Sequence, residues 1–322
     1  MTKRLKAFWS GYNFVFIFLG ILIAYLVING SQTTWTTITN IFLHSAILGT
    51  VALGMGLVIL TGDIDLSVGS SFVLAGGLTI VFFNNVNSII LALLCALALG
   101  GAFGFINGFL IGKFRMPPFI VTLATMLIYR SLSQYMMNEM GETRYSIDAS
   151  LSQYRALFNF GNGNFLTISY LAIVFLLVAV LLIYVTTSTR FGKRIYALGS
   201  NEKAAKLAGV NVVWTRISVY VLCGVCTGLA TFLKIAKDTS FDPATSGKNY
   251  ELYSIAAVVI GGISMSGGRG KIMGIIFGTM SFTLIDKIIT ALGMNALLND
   301  TVKGLILLVA VGLQMVKKRA RD

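Results

Sequence analysis

Charge is what this chain has least of. Only 11% of its 322 residues are Asp, Glu, Lys or Arg, where a soluble domain carries roughly 25%. The stretches Tyr12–Ser31, Ser88–Gly112, Asn164–Thr189 and Ile217–Leu233 hold none. Each is near the length of about 20 residues that crosses a bilayer as a helix. Hydrophobic residues make up 56% and mean hydropathy is +0.83. A soluble globular protein is thereby excluded. The chain reads as one all-α integral membrane domain, residues 1–322, lying in a lipid bilayer. No small-x-small cleavage pattern follows the first apolar run, so that run reads as a span and not as a removable leader.

Groups that do chemistry are equally scarce. The one histidine, His44, lies inside an apolar run, where a hydrogen-bonded helix-packing residue is the expected role. The three cysteines, Cys95, Cys223 and Cys226, also lie in apolar runs. Cys223-x-x-Cys226 has no companion ligand pair and reads as packing. No His, Cys or acidic cluster has metal-ligand spacing, and no nucleophile elbow lies at a strand-to-helix turn. Ser266-Gly267-Gly268-Arg269-Gly270-Lys271 invites comparison with a phosphate-binding loop. That loop needs a Gly five residues before its Gly-Lys pair and Ser or Thr after it. Here Met265 and Ile272 stand there. No catalytic residue, metal site or cofactor site is expected in this chain.

What the chain does have is basic residues, 25 against 12 acids, a net charge of +13. Their placement flanks the apolar runs, which points to membrane orientation and away from nucleic acid. Ten apolar segments can be drawn: Tyr12–Ile28, Ile38–Leu60, Leu66–Phe83, Ser88–Ile111, Pro117–Met137, Leu166–Thr186, Thr215–Ile235, Leu252–Ile263, Gly270–Thr290 and Thr301–Val316. An even number puts both termini on one side. That side, with its loops, collects 17 basic residues and four acids. Positive charge marks the cytoplasmic face, so both ends are expected there. Loop 139–165 then falls outside and loop 187–214 inside.

The octet Gly62-Asp63-Ile64-Asp65-Leu66-Ser67-Val68-Gly69 sets two acids and two glycines between two membrane-grade runs. An acid at mid-bilayer costs on the order of 3 kcal/mol on insertion scales. Irregular backbone survives at such depth only when buried in protein or lining a wet cavity. The expected structure is a helix break, with Asp65 capping the next helix at the N–H of Ser67 or Val68. Asp63 is expected to pair with a base such as Arg115. A looser echo, Ile263-Ser264-Met265-Ser266-Gly267-Gly268, follows Gly261-Gly262. Paired Gly-interrupted segments point to discontinuous helices at a transport site. Gly62, Asp63, Asp65, Ser67, Gly69, Gly261, Gly262, Ser264, Ser266, Gly267 and Gly268 are therefore the candidate translocation region. The segment Leu252–Ile263 is too short to cross alone, so it starts earlier or is a half-helix. Gly100, Gly104, Gly108 and Gly112 recur every four residues, a ridge that lets another helix approach closely. Gly224 with Gly228, and Gly274 with Gly278, repeat it.

The basic loop 187–214 contains a short helix between Ser200, a good N-cap, and Gly209, a good C′ residue. Glu202 suits its first turn. Ala204, Leu207 and Ala208 share a face. So short a helix is unstable alone and needs something to pack against. That is either the protein's own cytoplasmic face or a soluble partner docked on it.

Three ordered motifs carry a family resemblance. Thr189-Arg190-Phe191-Gly192 with Ala197-Leu198-Gly199-Ser200-Asn201-Glu202, Ala204-Ala205 and Gly209-Val210-Asn211-Val212 is the first. The octet is the second, and Tyr250-Glu251-Leu252 with Ala256-Ala257-Val258, Gly261-Gly262 and Gly267-Gly268-Arg269-Gly270 is the third. Together they resemble the bacterial ABC-importer permeases for ribose, xylose, arabinose and galactose, over about residues 40–315. Asp63 departs from the resemblance, since relatives commonly carry an apolar or small residue there.

The resemblance implies about ten transmembrane helices, some broken or re-entrant, in the bacterial cytoplasmic (inner) membrane. It implies a second permease subunit, identical or a close paralogue. It also implies an ABC ATPase, possibly a fused double ATPase, that binds ATP and Mg, and an extracytoplasmic sugar-binding protein. Gly199, Ser200, Asn201, Glu202, Ala204, Ala205, Leu207 and Gly209 then match the helix that couples to the ATPase. The implied function is import of a monosaccharide, ribose or another pentose first, by alternating access. Nucleosides or a furanosyl signalling molecule are the alternative cargo. A different class, an ion-coupled secondary transporter, would use Asp63 and Asp65 as its ion site, and a membrane-embedded enzyme is disfavoured by the lack of acid–base groups.

Overall fold

The structure is a computed structural model that describes residues 12–30, 33–295 and 298–319. The described residues form 13 helices and four two-residue strands. Each of the ten apolar segments carries a helix: α1 (Asn13–Asn29), α2 (Trp35–Leu60), α3 (Val68–Val86), α4 (Ile89–Phe114), α5 (Pro118–Glu139), α7 (Tyr170–Ser188), α10 (Val212–Asp238), α11 (Tyr250–Ile260), α12 (Met273–Ala291) and α13 (Asn299–Arg319). Six of them, α2, α3, α4, α7, α10 and α12, are long and apolar enough to cross a membrane. The three remaining helices lie in the two hydrophilic loops: α6 (Tyr154–Asn162), α8 (Arg190–Ser200) and α9 (Glu202–Leu207).

The helix α2 is the axis of the molecule. In its most apolar stretch 83% of residues are buried, against 22% for α4 and 33% for α7. A helix apolar all round suits such a position, because every face meets another apolar surface. Ser45 of α2 donates to Thr283 of α12 at 2.8 Å, so the buried hydroxyls satisfy each other. The open faces of α4 and α7 carry Ile90, Leu94, Phe105, Leu177, Val180 and Leu181, the surface expected against lipid.

The glycine ridge on α4 does what its spacing predicts. Gly100 meets Gly224 and Gly228 of α10, Gly104 meets Tyr220, and Gly108 meets Ile217. A Cβ at Gly104 would strike the Tyr220 carbonyl. The second ridge, Gly274 and Gly278 of α12, lies against Gly261 and Ala257 of α11. Cys223 and Cys226 are free and buried on α10, where Gly54 of α2 packs on them. His44 is exposed on α2, and no hydrogen bond to it is found among the described residues, so the expected hydrogen-bonded packing contact is not seen there.

Loop 139–165 is folded back onto the bundle. Its strand β1 (Tyr145–Ser146) pairs antiparallel with β4 (Ser240–Phe241), Tyr145 opposite Phe241. Tyr145 donates to the Ser133 carbonyl at 2.8 Å. Helix α6 lies on α10, with Gly161 against Ala236. A second small hairpin, β2 (Asn164–Phe165) with β3 (Ile168–Ser169), leads into α7. At the opposite end the basic loops converge: α8, α9, Lys113 in the last turn of α4, and the start of α10.

Candidate functional site

The two glycine breaks are built alike. Helix α2 ends with Gly62 N–H bonded to the Ile59 carbonyl at 2.9 Å and Asp63 N–H to Val58 at 3.3 Å. Helix α11 ends with Gly262 N–H on Val259 at 2.9 Å and Ile263 N–H on Val258 at 3.2 Å. Gly62 (φ +86°) and Gly262 (φ +83°) hold the left-handed position that this C-terminal motif requires. The structural equivalence pairs residue 62 with 262. It is one residue out of register with the echo legible in the sequence, which aligned Ile64 with Ile263. The position equivalent to Asp65 is therefore Met265, and the second break carries no acid.

The breaks touch each other at the basic end. Gly268 N–H donates to the Leu60 carbonyl at 2.9 Å. Gly267 lies against Gly62. Gly199, in the last turn of α8, is wedged between the Leu60 carbonyl and Gly268. Ser200 reaches the Gly268 carbonyl at 3.5 Å, and Tyr196 donates to the Gly270 carbonyl at 2.9 Å. Ser264 and Ser266 stay within the loop: Ser264 N–H bonds the Arg269 carbonyl, and Ser266 N–H the Ser264 hydroxyl. Gly261 packs on Gly274, and Gly69 lies in the first turn of α3 against Glu251 and Gly247.

Asp65 makes the expected cap. Its Oδ1 accepts from Ser67 N–H at 2.8 Å and from Ser67 Oγ at 2.7 Å, while Asn107 of α4 donates to that hydroxyl at 2.8 Å. Asn107 lies seven residues, about 10 Å of helix, from the last residue of α4. The break is thus inside the bundle and not at its rim.

Asp63 pairs with a different base from the one expected. Arg115 is exposed beyond the last turn of α4. The partner is Arg216 of α10, whose Nε donates to Asp63 Oδ2 at 2.7 Å. The same guanidinium reaches Glu202 of α9 through Nη2 at 3.1 Å. Asp63 and Arg216 are 6% and 13% exposed, and Glu202 is 54% exposed. One arginine therefore ties the break after α2 to the first residue of α9.

The coupling segment is more ordered than a loop. Residues 190–200 form the amphipathic helix α8, which buries Gly192, Ile195 and Leu198. The sequence carries that signal in the spacing of Phe191, Ile195 and Leu198, within what reads as a basic loop. The N-cap of α9 is Asn201, whose side chain accepts from Ala204 N–H at 3.0 Å. Ser200 does not cap it, because the turn of α8 continues through Ser200 and only Asn201 has extended backbone. Gly209 follows with φ +81°. Within α9 only Ala205 is buried. Ala204, Leu207 and Ala208 face outward, Leu207 with 90% of its surface exposed.

No cluster of three or more His, Cys, Asp or Glu able to hold a metal occurs among the described residues. What the site offers is mechanical: an apolar knob on α9, a rigid glycine junction behind it, and an ion pair from its base to a helix break. The family of branched-chain amino acid transport system permease components matches residues 37–311. This chain belongs to that ABC permease family. The ribose import permease of Bacillus subtilis (strain 168) is 37% identical over 303 residues, covering 93% of this chain and 92% of that protein. The ribose permease of Escherichia coli (strain K12) is 34% identical over 297 residues, 91% of each. The L-arabinose permease of the same strain is 34% identical over 315 residues, 97% of this chain and 93% of that protein. No solved structure matches the chain. The chain is accordingly a permease subunit of an ABC transporter. Permeases of this family work with an ATPase and a binding protein.

Proposed function

We propose that this permease imports a monosaccharide, ribose or a similar pentose first, across the bacterial cytoplasmic membrane. All ten apolar helices lie in the membrane, and both termini face the cytoplasm with the basic loops. Two permease subunits, identical or paralogous, surround the pathway. An ABC ATPase, singly encoded or a fused double domain, binds ATP and Mg and docks on α9. An extracytoplasmic sugar-binding protein delivers the cargo.

The observation that carries this reading is the Leu207 face of α9. A leucine 90% exposed at the tip of a six-residue helix is a surface kept for a partner. Gly199, Ser200, Asn201, Glu202, Ala204, Ala205 and Gly209 shape and anchor it. Closure of the ATPase pushes α9, and the push passes through the Gly199–Gly268–Leu60 junction and through Arg216 to the break at Gly62–Gly69. The helices on either side then rock. An ion-coupled mechanism finds little support, because both acids of the octet are already engaged, Asp63 by Arg216 and Asp65 by Ser67.

The test is uptake by the complex reconstituted with its ATPase and binding protein. ATP-dependent accumulation of D-ribose that survives collapse of ion gradients is the expected result. Uptake that needs the gradient and not ATP overturns the mechanism. Nucleoside uptake in preference to every sugar overturns the cargo.

A further inference from the structure

The segment between α10 and α11 turns back into the bundle. Arg130 is the thirteenth of the 22 residues of α5, a helix about 33 Å long against a hydrocarbon core of about 30 Å. With α5 spanning the bilayer, as the importer reading has it, Arg130 sits near its middle. Its Nη1 donates to the carbonyls of Pro243 and Ser246 at 2.9 and 2.8 Å. Its Nη2 reaches those of Gly69 and Gly247 at 3.5 and 3.4 Å. A second measure agrees. Phe241 lies against Gly76 of α3 and Gly247 against Gly69. That is seven residues, or about 10 Å, further along the helix.

Irregular backbone at such depth cannot face lipid. Arg130 satisfies its inner side. Its outer side exposes Thr245 and Lys248, with Asn249 and Glu251 partly exposed at the start of α11. Lys248 has no acidic partner among the described residues, and an ammonium facing hydrocarbon there would be costly. Beside Asn249 a cavity of about 100 Å³ opens, with Tyr253, Phe282, Asp300 and Lys303 in its wall. A hydroxyl, an ammonium and an amide on one exposed stretch can hydrogen-bond a neutral polyol.

Resting on the importer reading, we propose that Thr245, Lys248, Asn249 and Glu251 line the aqueous translocation pathway and hydrogen-bond the hydroxyls of the passing sugar. A discontinuous helix starting at membrane depth is where transport sites lie, and here it supplies Glu251, with Asn249 as its N-cap.

The experiment is thiol accessibility in the assembled complex. Cys95, Cys223 and Cys226 are replaced by Ala. Thr245→Cys, Lys248→Cys and, on the apolar face of α7, Leu177→Cys are then made singly. A membrane-impermeant methanethiosulfonate reacts with the thiolate, which forms only in water. Labelling at 245 and 248 about tenfold faster than at 177, slowed by D-ribose with binding protein, supports the proposal. Rates equal to that at 177 overturn it, and so does fast labelling indifferent to both nucleotide and cargo. Labelling that follows nucleotide state but responds to no sugar keeps the pathway and overturns the sugar reading instead. Lys248→Gln should raise the KM for uptake and leave assembly intact; an unchanged KM removes Lys248 from the pathway.

Discussion

Arg216 holds two acids of very different burial, and the two bonds should differ in worth. Replacing it by Met leaves Asp63, 6% exposed, as a buried carboxylate without a counter-charge. Breaking a buried pair from one side costs about 3–5 kcal/mol, most of it the stranded charge. The bond to Glu202 contributes far less. That carboxylate is 54% exposed, water competes for it, and pairs of this kind contribute about 0.2–1 kcal/mol. A double-mutant cycle separates the two. Asp63→Leu combined with Arg216→Met removes both buried charges and should recover most of the loss. The assay is irreversible thermal inactivation of the purified permease in nanodiscs, since stability of a large membrane protein is read as a rate. A cost of about 3 kcal/mol falling on the unfolding step speeds inactivation by about two orders of magnitude. Arg216→Met should show that effect, Glu202→Gln almost none, and the double variant should return to within a few-fold of the parent. If the double variant is as labile as both single variants added together, Asp63 and Arg216 do not interact as described.

Leu207→Glu should leave thermal stability within about 0.5 kcal/mol, because the side chain touches solvent, yet abolish stimulation of the ATPase by substrate-loaded binding protein; preserved stimulation removes α9 from coupling. Asp65→Asn keeps an oxygen for Ser67 N–H and should retain most stability, whereas Asp65→Ala should cost about 1 kcal/mol as a lost cap; equal loss of transport by both, in protein that still assembles, would show that the charge itself matters. Gly104→Leu should destabilise more than the usual 1–3 kcal/mol of an overpacked site, since the obstacle is the Tyr220 backbone, and Gly101→Leu, which faces only Val225, is the milder control in the same inactivation assay.

Much of this architecture was legible in the residues. Hydropathy alone located ten helices, because burial in lipid and burial in protein both demand long apolar runs. The four-residue glycine period predicted close packing, since spacing on one helix fixes what shares a face. The cap by Asp65 followed from a contact two residues away. Local rules reach that far. They did not reach α8, read as loop because its apolar positions are few among basic residues. They placed the cap of α9 one residue early, because Ser200 and Asn201 are both good caps and only the end of α8 decides between them. They also paired Asp63 with Arg115 where Arg216 stands.

By itself, then, the sequence determined membrane residence, the helical segments, the ridges and the positions of the two breaks. Each of these is fixed by composition or by short periodic spacing. The tertiary structure alone decided that the two breaks meet, that Gly199 is wedged between them, that Arg216 spans 153 positions to Asp63, and that residues 242–249 turn back to the level of Arg130. Those are contacts between distant segments. Their partners are chosen by how whole helices pack, and no local pattern of residue types carries that information.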